Sequence, residues 1–260
     1  MTAPDSPLLL STDFDGTILD HDLPPPMAPE FFDWLEAARA RRPVVWVINT
    51  GRDWDSLRSE LERRQARCLP DWVVLIEREV HRLDATGALQ PHQDWNRRCL
   101  DVHADLFTRA DGMLETMRRD LARFDGLQII RDVGSPLGLI AASEAQAAEV
   151  DRALQPLYAA FPDLQAVRNT VYFRFAHMDY HKGSCLALIQ AESGIGPEHT
   201  IAAGDNLNDL PMLRRRYAHH LICPANALPE VCEQVKCEGG VVASRSAGAG
   251  VAEALARLPF

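Results

Sequence analysis

Two aspartates two residues apart, Asp13 and Asp15, follow three leucines in the run LLLSTDFDGTIL at residues 8–19. A short apolar run that ends in a turn signal predicts a buried strand of a parallel sheet, with the polar residues where the strand stops. Ligands of open α/β sheets bind outside that edge. If Asp13 closes the strand and the chain turns at Gly16, both carboxylates project toward one site. Carboxylates that close repel unless a cation or a shared proton relieves them. A hard ion such as magnesium, which takes one or two carboxylates and keeps its waters, suits the pair. A helix cap or an ordinary polar loop would use the same residue types, so the rest of the chain has to decide.

The pattern recurs. VVWVI at residues 44–48 runs into Asn49, Thr50, Gly51 and Arg52, and a helix is predicted over 53–67. Thr50's hydroxyl and the first helix amides could receive an anion, or Thr50 could simply cap that helix. Lys182 opens a helix after His181. A cation is poorly placed there for the helix dipole unless it points at an anion. TIAA at 200–203 then ends in GDNLND at 204–209, where Asp205, Asn206, Asn208 and Asp209 concentrate oxygen ligands for a hard metal.

A parallel sheet brings such strand ends to one side, and the assembled set suits phosphoryl transfer. An aspartate can attack phosphorus to form an acyl phosphate. Asp13 and Asp15 are both candidates, with Asp13 held more firmly near the strand, and the other carboxylate would move the proton. Magnesium, Lys182 and Thr50 would meet the phosphoryl oxygens.

The elements that must position these groups are strand, tight polar turn and helix over residues 6–76, with a third strand at 72–76. From residue 77 the texture changes. A hairpin is expected with its turn near Thr86 and Gly87, then helical stretches at 92–107 and 112–124, short strands at 127–133 and 137–141, and a helix from Ser143 to about residue 160. AVRNTVYFRF at 166–175 alternates as one half-exposed strand, which would put Arg168, Thr170, Tyr172 and Arg174 on one face. That face could hold an anionic or polyol substrate, or be an ordinary solvated surface. After residue 178 the first style returns. A short helix is expected at 211–214, strands at 218–222 and 240–243, and helices at 228–235 and 250–258. The fold class is α/β, a Rossmann-like parallel-sheet core with an inserted α+β module.

With 260 residues, 47% hydrophobic and 25% charged, the chain has ample material for a buried core. A net charge of −10 with no long basic block argues against nucleic acid as a partner. No apolar run of membrane-spanning length occurs. Six cysteines without metal-ligand spacing, and no leader before the first strand, point to free thiols in a reducing cytoplasm, although Cys232 and Cys237 are close enough in sequence to pair.

DFDGT at 13–17, NTGR at 49–52, HKG at 181–183 and GDNLND at 204–209 resemble, in order and spacing, the four motifs of the haloacid dehalogenase superfamily. Within that superfamily the chain resembles phosphatases with a large inserted α+β cap, such as Cof-type sugar phosphatases, sucrose-phosphate phosphatase and mannosyl-3-phosphoglycerate phosphatase. The resemblance implies a catalytic core of residues 1–78 and 178–260, and a cap of residues 79–177 that selects substrate. It implies Asp13 as nucleophile, Asp15 as acid/base, Thr50 with Gly51 and Arg52 at the phosphoryl group, Lys182 steadying nucleophile and phosphate, and Mg2+ held by Asp13, Asp15, Asp205, Asn208 and Asp209. Arg168, Tyr172, Arg174 and His177 are the candidate substrate contacts in the cap. At the cap entrance Glu77 and Arg78 stand where Cof-type relatives tend to have Asn-Gly. The implied partner is a small-molecule phosphate ester, handled by a monomer or weak homodimer. A phosphomutase on the same fold and a non-catalytic metal-binding protein are the competing readings. A dinucleotide enzyme would need a GxGxxG turn after its first strand, which is absent.

Overall fold

The apolar runs that precede the polar strand ends are buried along their length and pair in parallel. The computed structural model describes residues 6–22, 24–158 and 160–259. It begins with β1 (Leu8–Thr12), passes through α1 (Pro29–Arg39) to β2 (Val44–Asn49), and through α2 (Trp54–Arg63) to β3 (Trp72–Leu75). β4 (Glu79–Leu83) then folds back antiparallel on β3, and β5 (Leu89–Pro91) antiparallel on β4.

Residues 93–180 form a unit of their own. It contains α3 (Gln93–Leu121), β6 (Gln128–Asp132), β7 (Ser135–Ile140), α4 (Glu144–Tyr158), β8 (Leu164–Asn169) and β9 (Tyr172–His177). Its four strands lie in the order β6-β7-β9-β8. Its core joins Leu106, Leu114 and Met117 of α3 to Val150 of α4 and to Phe173 and Phe175 of β9.

The chain then returns to the first unit with α5 (Lys182–Ser193), β10 (Thr200–Ala203), β11 (His220–Cys223), α6 (Pro229–Cys237), β12 (Val241–Val242) and α7 (Ala247–Leu255). The completed sheet has the order β12-β11-β10-β1-β2-β3-β4-β5. β1 sits between β10 and β2, so the chain leaves it in opposite directions across the sheet, the arrangement that opens a crevice at the carboxyl edge. Beneath it, Leu8 and Leu10 pack with Trp46, Phe31, Phe32 and Leu35, and the Trp46 ring lies 5.4 Å from that of Phe31. Among the described residues no helix is long and apolar enough to cross a membrane.

Four expectations are corrected. The break between core and insertion falls near residue 92 and not at 79, because the hairpin of β4 and β5 extends the core sheet. The two helical stretches at 92–107 and 112–124 are one helix, α3. Its buried stripe Cys99, His103, Leu106, Ala110, Leu114, Met117 and Leu121 continues at spacings of three and four through an exposed Gly112. No helix forms at 211–214; a single 3-10 turn at Leu207–Asp209 takes its place.

The fourth correction bears on function. Residues 166–175 are two strands of a hairpin, turned at Thr170 with φ of +50°. Glycine or asparagine is the usual residue there, which is why the pattern conceals the turn. Arg168 pairs opposite Phe173, and Val167 opposite Arg174. Opposed residues share a face, so Arg168 and Arg174 lie on opposite faces. Arg168 donates Nε–H to the Thr170 carbonyl at 2.9 Å. Arg174 is buried and ion-paired with Asp132, whose side chain is also buried. Burial alone would push the Asp132 carboxyl up, but Arg174 holds it below its ordinary range. Removing one partner of a buried pair strands the other, so Arg174→Ala should cost the 93–180 unit about 3 kcal/mol or more. Denaturant unfolding followed by near-UV signals of that unit would measure it, and an unchanged midpoint would show that the pair carries no net stability.

Candidate active site

The ends of β1 and β10 place their acids side by side. Asp13 continues β1 and donates its backbone N–H to the Ala203 carbonyl at 2.9 Å. One ligand oxygen from each of Asp13, Asp205 and Asp209 lies within 4.8 Å of the others, and all three residues are buried. Gly16 makes this approach possible. Its φ is +78°, and a Cβ there would sit 2.3 Å from Asp205 Oδ2.

Lys182 enters the cluster from the first turn of α5. Its ammonium donates to Asp13 Oδ1 and to Asp209 Oδ1, each at 2.6 Å, and its side chain is fully buried. The unfavourable position at a helix N-terminus is therefore offset by two carboxylates. His181 caps this helix through Nδ1, which accepts from the Gly183 and Ser184 amides. Gly183 lets the helix approach the following loop, since a Cβ there would lie 2.6 Å from the Pro211 carbonyl oxygen. His177 likewise has a local task, with Nδ1 accepting from the Asp179 amide at 3.2 Å.

Electrostatically the cluster is short of positive charge. Burial pushes the Asp13 carboxyl well above its ordinary value; Lys182 opposes this, while Asp209 and Asp205 add to it. Burial and Asp209 push Asp205 up to about 7, against the hydrogen bond from Thr17. Burial pulls the Lys182 ammonium down, but Asp13 and Asp209 pull harder in the other direction and keep it protonated.

Thr50 follows β2 and is buried. Its Oγ1 accepts from the Arg52 amide at 3.2 Å. The cap of α2 is Asp53, which accepts from the Ser56 amide, so Thr50 is not spent on capping. Arg52 grips Asp15 at both oxygens, Nε to Oδ2 at 2.6 Å and Nη2 to Oδ1 at 2.7 Å. Gly51 lies against Glu77, with 3.3 Å between a Cβ built there and Glu77 Oε1. The candidates Arg168, Tyr172 and Arg174 belong to the other unit.

These features have counterparts elsewhere. Residues 134–255 match the model of a family described as haloacid dehalogenase-like hydrolase. That match spans just under half of the chain. Among solved structures it is similar to the sucrose-phosphatase of Synechocystis in complex with sucrose and phosphate, at 19% identity, with 96% of each chain covered and a TM-score of 0.74. A haloacid dehalogenase-like hydrolase from B. subtilis follows at 18% identity, with 96% of this chain and 99% of that one covered and a TM-score of 0.62. A phosphatase of the same superfamily from Bacteroides thetaiotaomicron shows 17% identity, 96% and 94% coverage and a TM-score of 0.60. At these identities the likenesses establish the fold. No curated protein matches the chain significantly.

The residues at these strand ends fit a divalent cation. Three buried acids share one ammonium, and the side-chain oxygen Oδ1 of buried Asn208 has no hydrogen-bond partner. Asp13 and Asp205 would hold the ion. Asp209 spends Oδ1 on Lys182 and Oδ2 on the amides of Asp205 and Asn206, both at 2.9 Å, so it shapes the loop around the ion. Asp15, expected among the ligands, has its carboxylate turned to Arg52 and lies outside the acid cluster.

Three supporting residues escaped the sequence reading. Thr17 Oγ1 donates to Asp205 Oδ1 at 2.5 Å. Asn49 Nδ2 donates to the Lys182 carbonyl at 3.0 Å, tying β2 to α5. Asn226 Nδ2 donates to the Gly16 carbonyl at 2.8 Å, holding the turn after β1. Thr17 and Asn49 could have been found by asking what each polar residue beside a strand end does.

Proposed function

We propose that the chain is a magnesium-dependent phosphomonoester hydrolase that acts on a small phosphorylated metabolite, a sugar or glycosyl phosphate, through an aspartyl-phosphate intermediate on Asp13. The observation that carries this reading is the buried Lys182 ammonium 2.6 Å from Asp13 Oδ1. It neutralises a carboxylate that must approach an anionic phosphoryl group, and it leaves Asp13 Oδ2 free to attack.

Asp13 Oδ2 forms the new bond to phosphorus as the ester P–O bond breaks, and Asp15 gives a proton to the leaving alkoxide. In the second step Asp15 takes a proton from water, the water oxygen bonds to phosphorus, and the acyl phosphate P–O bond breaks to return the Asp13 carboxylate and inorganic phosphate. In the absence of substrate Asp15 is held at both oxygens by Arg52. For the first step the pair opens and frees Arg52 for a phosphoryl oxygen beside Thr50. Mg2+, when bound, supplies charge neutralisation and alignment of those oxygens.

Substrate selection is assigned to the 93–180 unit, with Tyr172 as the candidate contact. The sugar assignment is supported by the likeness to the sucrose-phosphatase across 96% of both chains. The six free thiols suit a reducing cytoplasm.

The test is inorganic phosphate release across sugar phosphates, glycosyl phosphates, phosphoglycerate derivatives and nucleotides. Release with a sugar phosphate, lost on EDTA treatment and restored by Mg2+, is the expected result. Isomer formation without phosphate would make the protein a mutase, and no turnover with any ester would remove the hydrolase reading.

A further inference from the structure

The turn after β3 is strained in a way its backbone path alone does not require. Ile76 and Glu77 are consecutive non-glycine residues with φ of +44° and +67°. Side chains, above all β-branched ones, rarely adopt that region, whereas glycine enters it freely. Such geometry persists where the surroundings over-determine it, and it clusters at functional sites. Here the turn is latched to the loop that carries Thr50 and Arg52. The Ile76 amide donates to the Arg52 carbonyl at 3.0 Å, and the Glu77 amide to the Thr50 carbonyl at 2.9 Å.

What glycine could not supply is the carboxylate. Glu77 is buried, at 6% exposure, and Lys182 is bonded to Asp13 and Asp209 instead. Glu77 Oε1 accepts from Asn208 Nδ2 at 2.7 Å. A carboxylate only accepts, so the nitrogen edge of the Asn208 amide must face Glu77 and the oxygen edge must face away. That oxygen, Oδ1, is buried and has no hydrogen-bond partner. It stands on the same loop as Asp205 and Asp209, two members of the acid cluster. An oriented, unpaired amide oxygen beside carboxylates is a ligand for a hard cation.

We infer that Glu77 is a positioning residue for the cation site: it fixes the amide of Asn208 so that Oδ1 completes the ligand shell around the ion. This rests on the cation-dependent reading above. It explains why a strained, charged residue occupies a turn that glycine would make without strain.

Isothermal titration of the metal-free full chain with MgCl2 tests it directly. Outer partners that orient ligands typically change metal affinity by about 10-fold to 100-fold. Glu77→Ala and Asn208→Ala are each expected to weaken Mg2+ by at least about 10-fold, and the double variant by no more than the worse single one. Glu77→Gln, which retains an acceptor oxygen, should stay within about threefold of the parent chain. The melting temperature of metal-free Glu77→Gly should hold or rise, since the turn relaxes and a buried acid leaves an acid-rich loop. Unchanged Mg2+ affinity in Glu77→Ala overturns the inference, as does additive loss in the double variant. Equal loss in Glu77→Gln would show that charge matters and not orientation, which also overturns it. A parent chain that binds no Mg2+ would instead defeat the cation-dependent reading itself, a result distinct from all of these.

Discussion

Asp13→Asn should lose phosphate release by roughly 10^4-fold or more, the scale seen when a nucleophile is removed from a catalytic unit, while the fold stays intact. Asparagine has nearly the shape of aspartate, and its oxygen can still accept from Lys182, but it cannot form the acyl phosphate. The variant should also melt no lower than the parent without metal. Burial, with Asp209 and Asp205, holds the Asp13 carboxyl well above its ordinary 3.8 in the folded chain, against the pull of Lys182. A group whose pKa rises on folding contributes stability below its unfolded pKa, and that contribution is lost as pH rises through the folded value. Above that folded value the ionised Asp13 is therefore a liability that asparagine removes. Phosphate release under saturating substrate and Mg2+, with thermal melts of the metal-free proteins, checks both halves. Turnover within tenfold of the parent would end the assignment of Asp13 as nucleophile.

The core strands were legible because a strand buried on both faces must be apolar throughout, and β1, β2, β3 and β10 stand out against the polar residues that follow them. Their polar ends were legible for the same reason, and with them Asp13, Thr50, Asp205 and Asp209. What failed was information that lies between elements. The hairpin at Thr86 and Gly87 was visible as a hairpin, but nothing local says that Val80 will pair with Val74 and extend the core sheet. The turn at Thr170 was concealed because a β-branched residue occupies a left-handed position, so two strands read as one and placed Arg168 and Arg174 on a common face.

The same limit applied within the site. Strand ends converge by topology, and topology is readable from pattern. Individual side-chain pairs are not. Arg52 meets Asp15 across 37 residues, Arg174 meets Asp132 across 42, and Asn208 meets Glu77 across 131. Nothing in the sequence tells any of these residues which partner it will meet. The pairing changes their meaning: Arg174 becomes half of a buried ion pair, Arg52 becomes the holder of the Asp15 carboxylate, and Glu77 acquires a reason to be buried.

Lys182→Met should be the most damaging of the single substitutions to stability as well as to catalysis. Methionine keeps much of the stem's volume but removes the ammonium that lies 2.6 Å from both Asp13 and Asp209. Taking one partner from a buried ion pair costs about 3–5 kcal/mol, because the remaining charge has neither water nor counterion. Here two acids lose their cation, with Asp205 close by. Turnover should fall by about 10^2 to 10^3-fold even where the protein folds, since charge developing on the phosphoryl group loses a preorganised donor. Lys182→Arg should not restore it, because a planar fork does not replace a compact ammonium that is fully buried between Asp13 and Asp209. Mg2+ separates the structural loss from the catalytic one. A cation bound only by the folded chain at 100 times its Kd returns about 2.7 kcal/mol. Denaturant midpoints of Lys182→Met should therefore recover with MgCl2 while turnover does not. If the metal-free variant were as stable as the parent, the buried acids would have to be protonated in the folded chain, and Lys182 would not be the counterion that makes Asp13 a usable nucleophile.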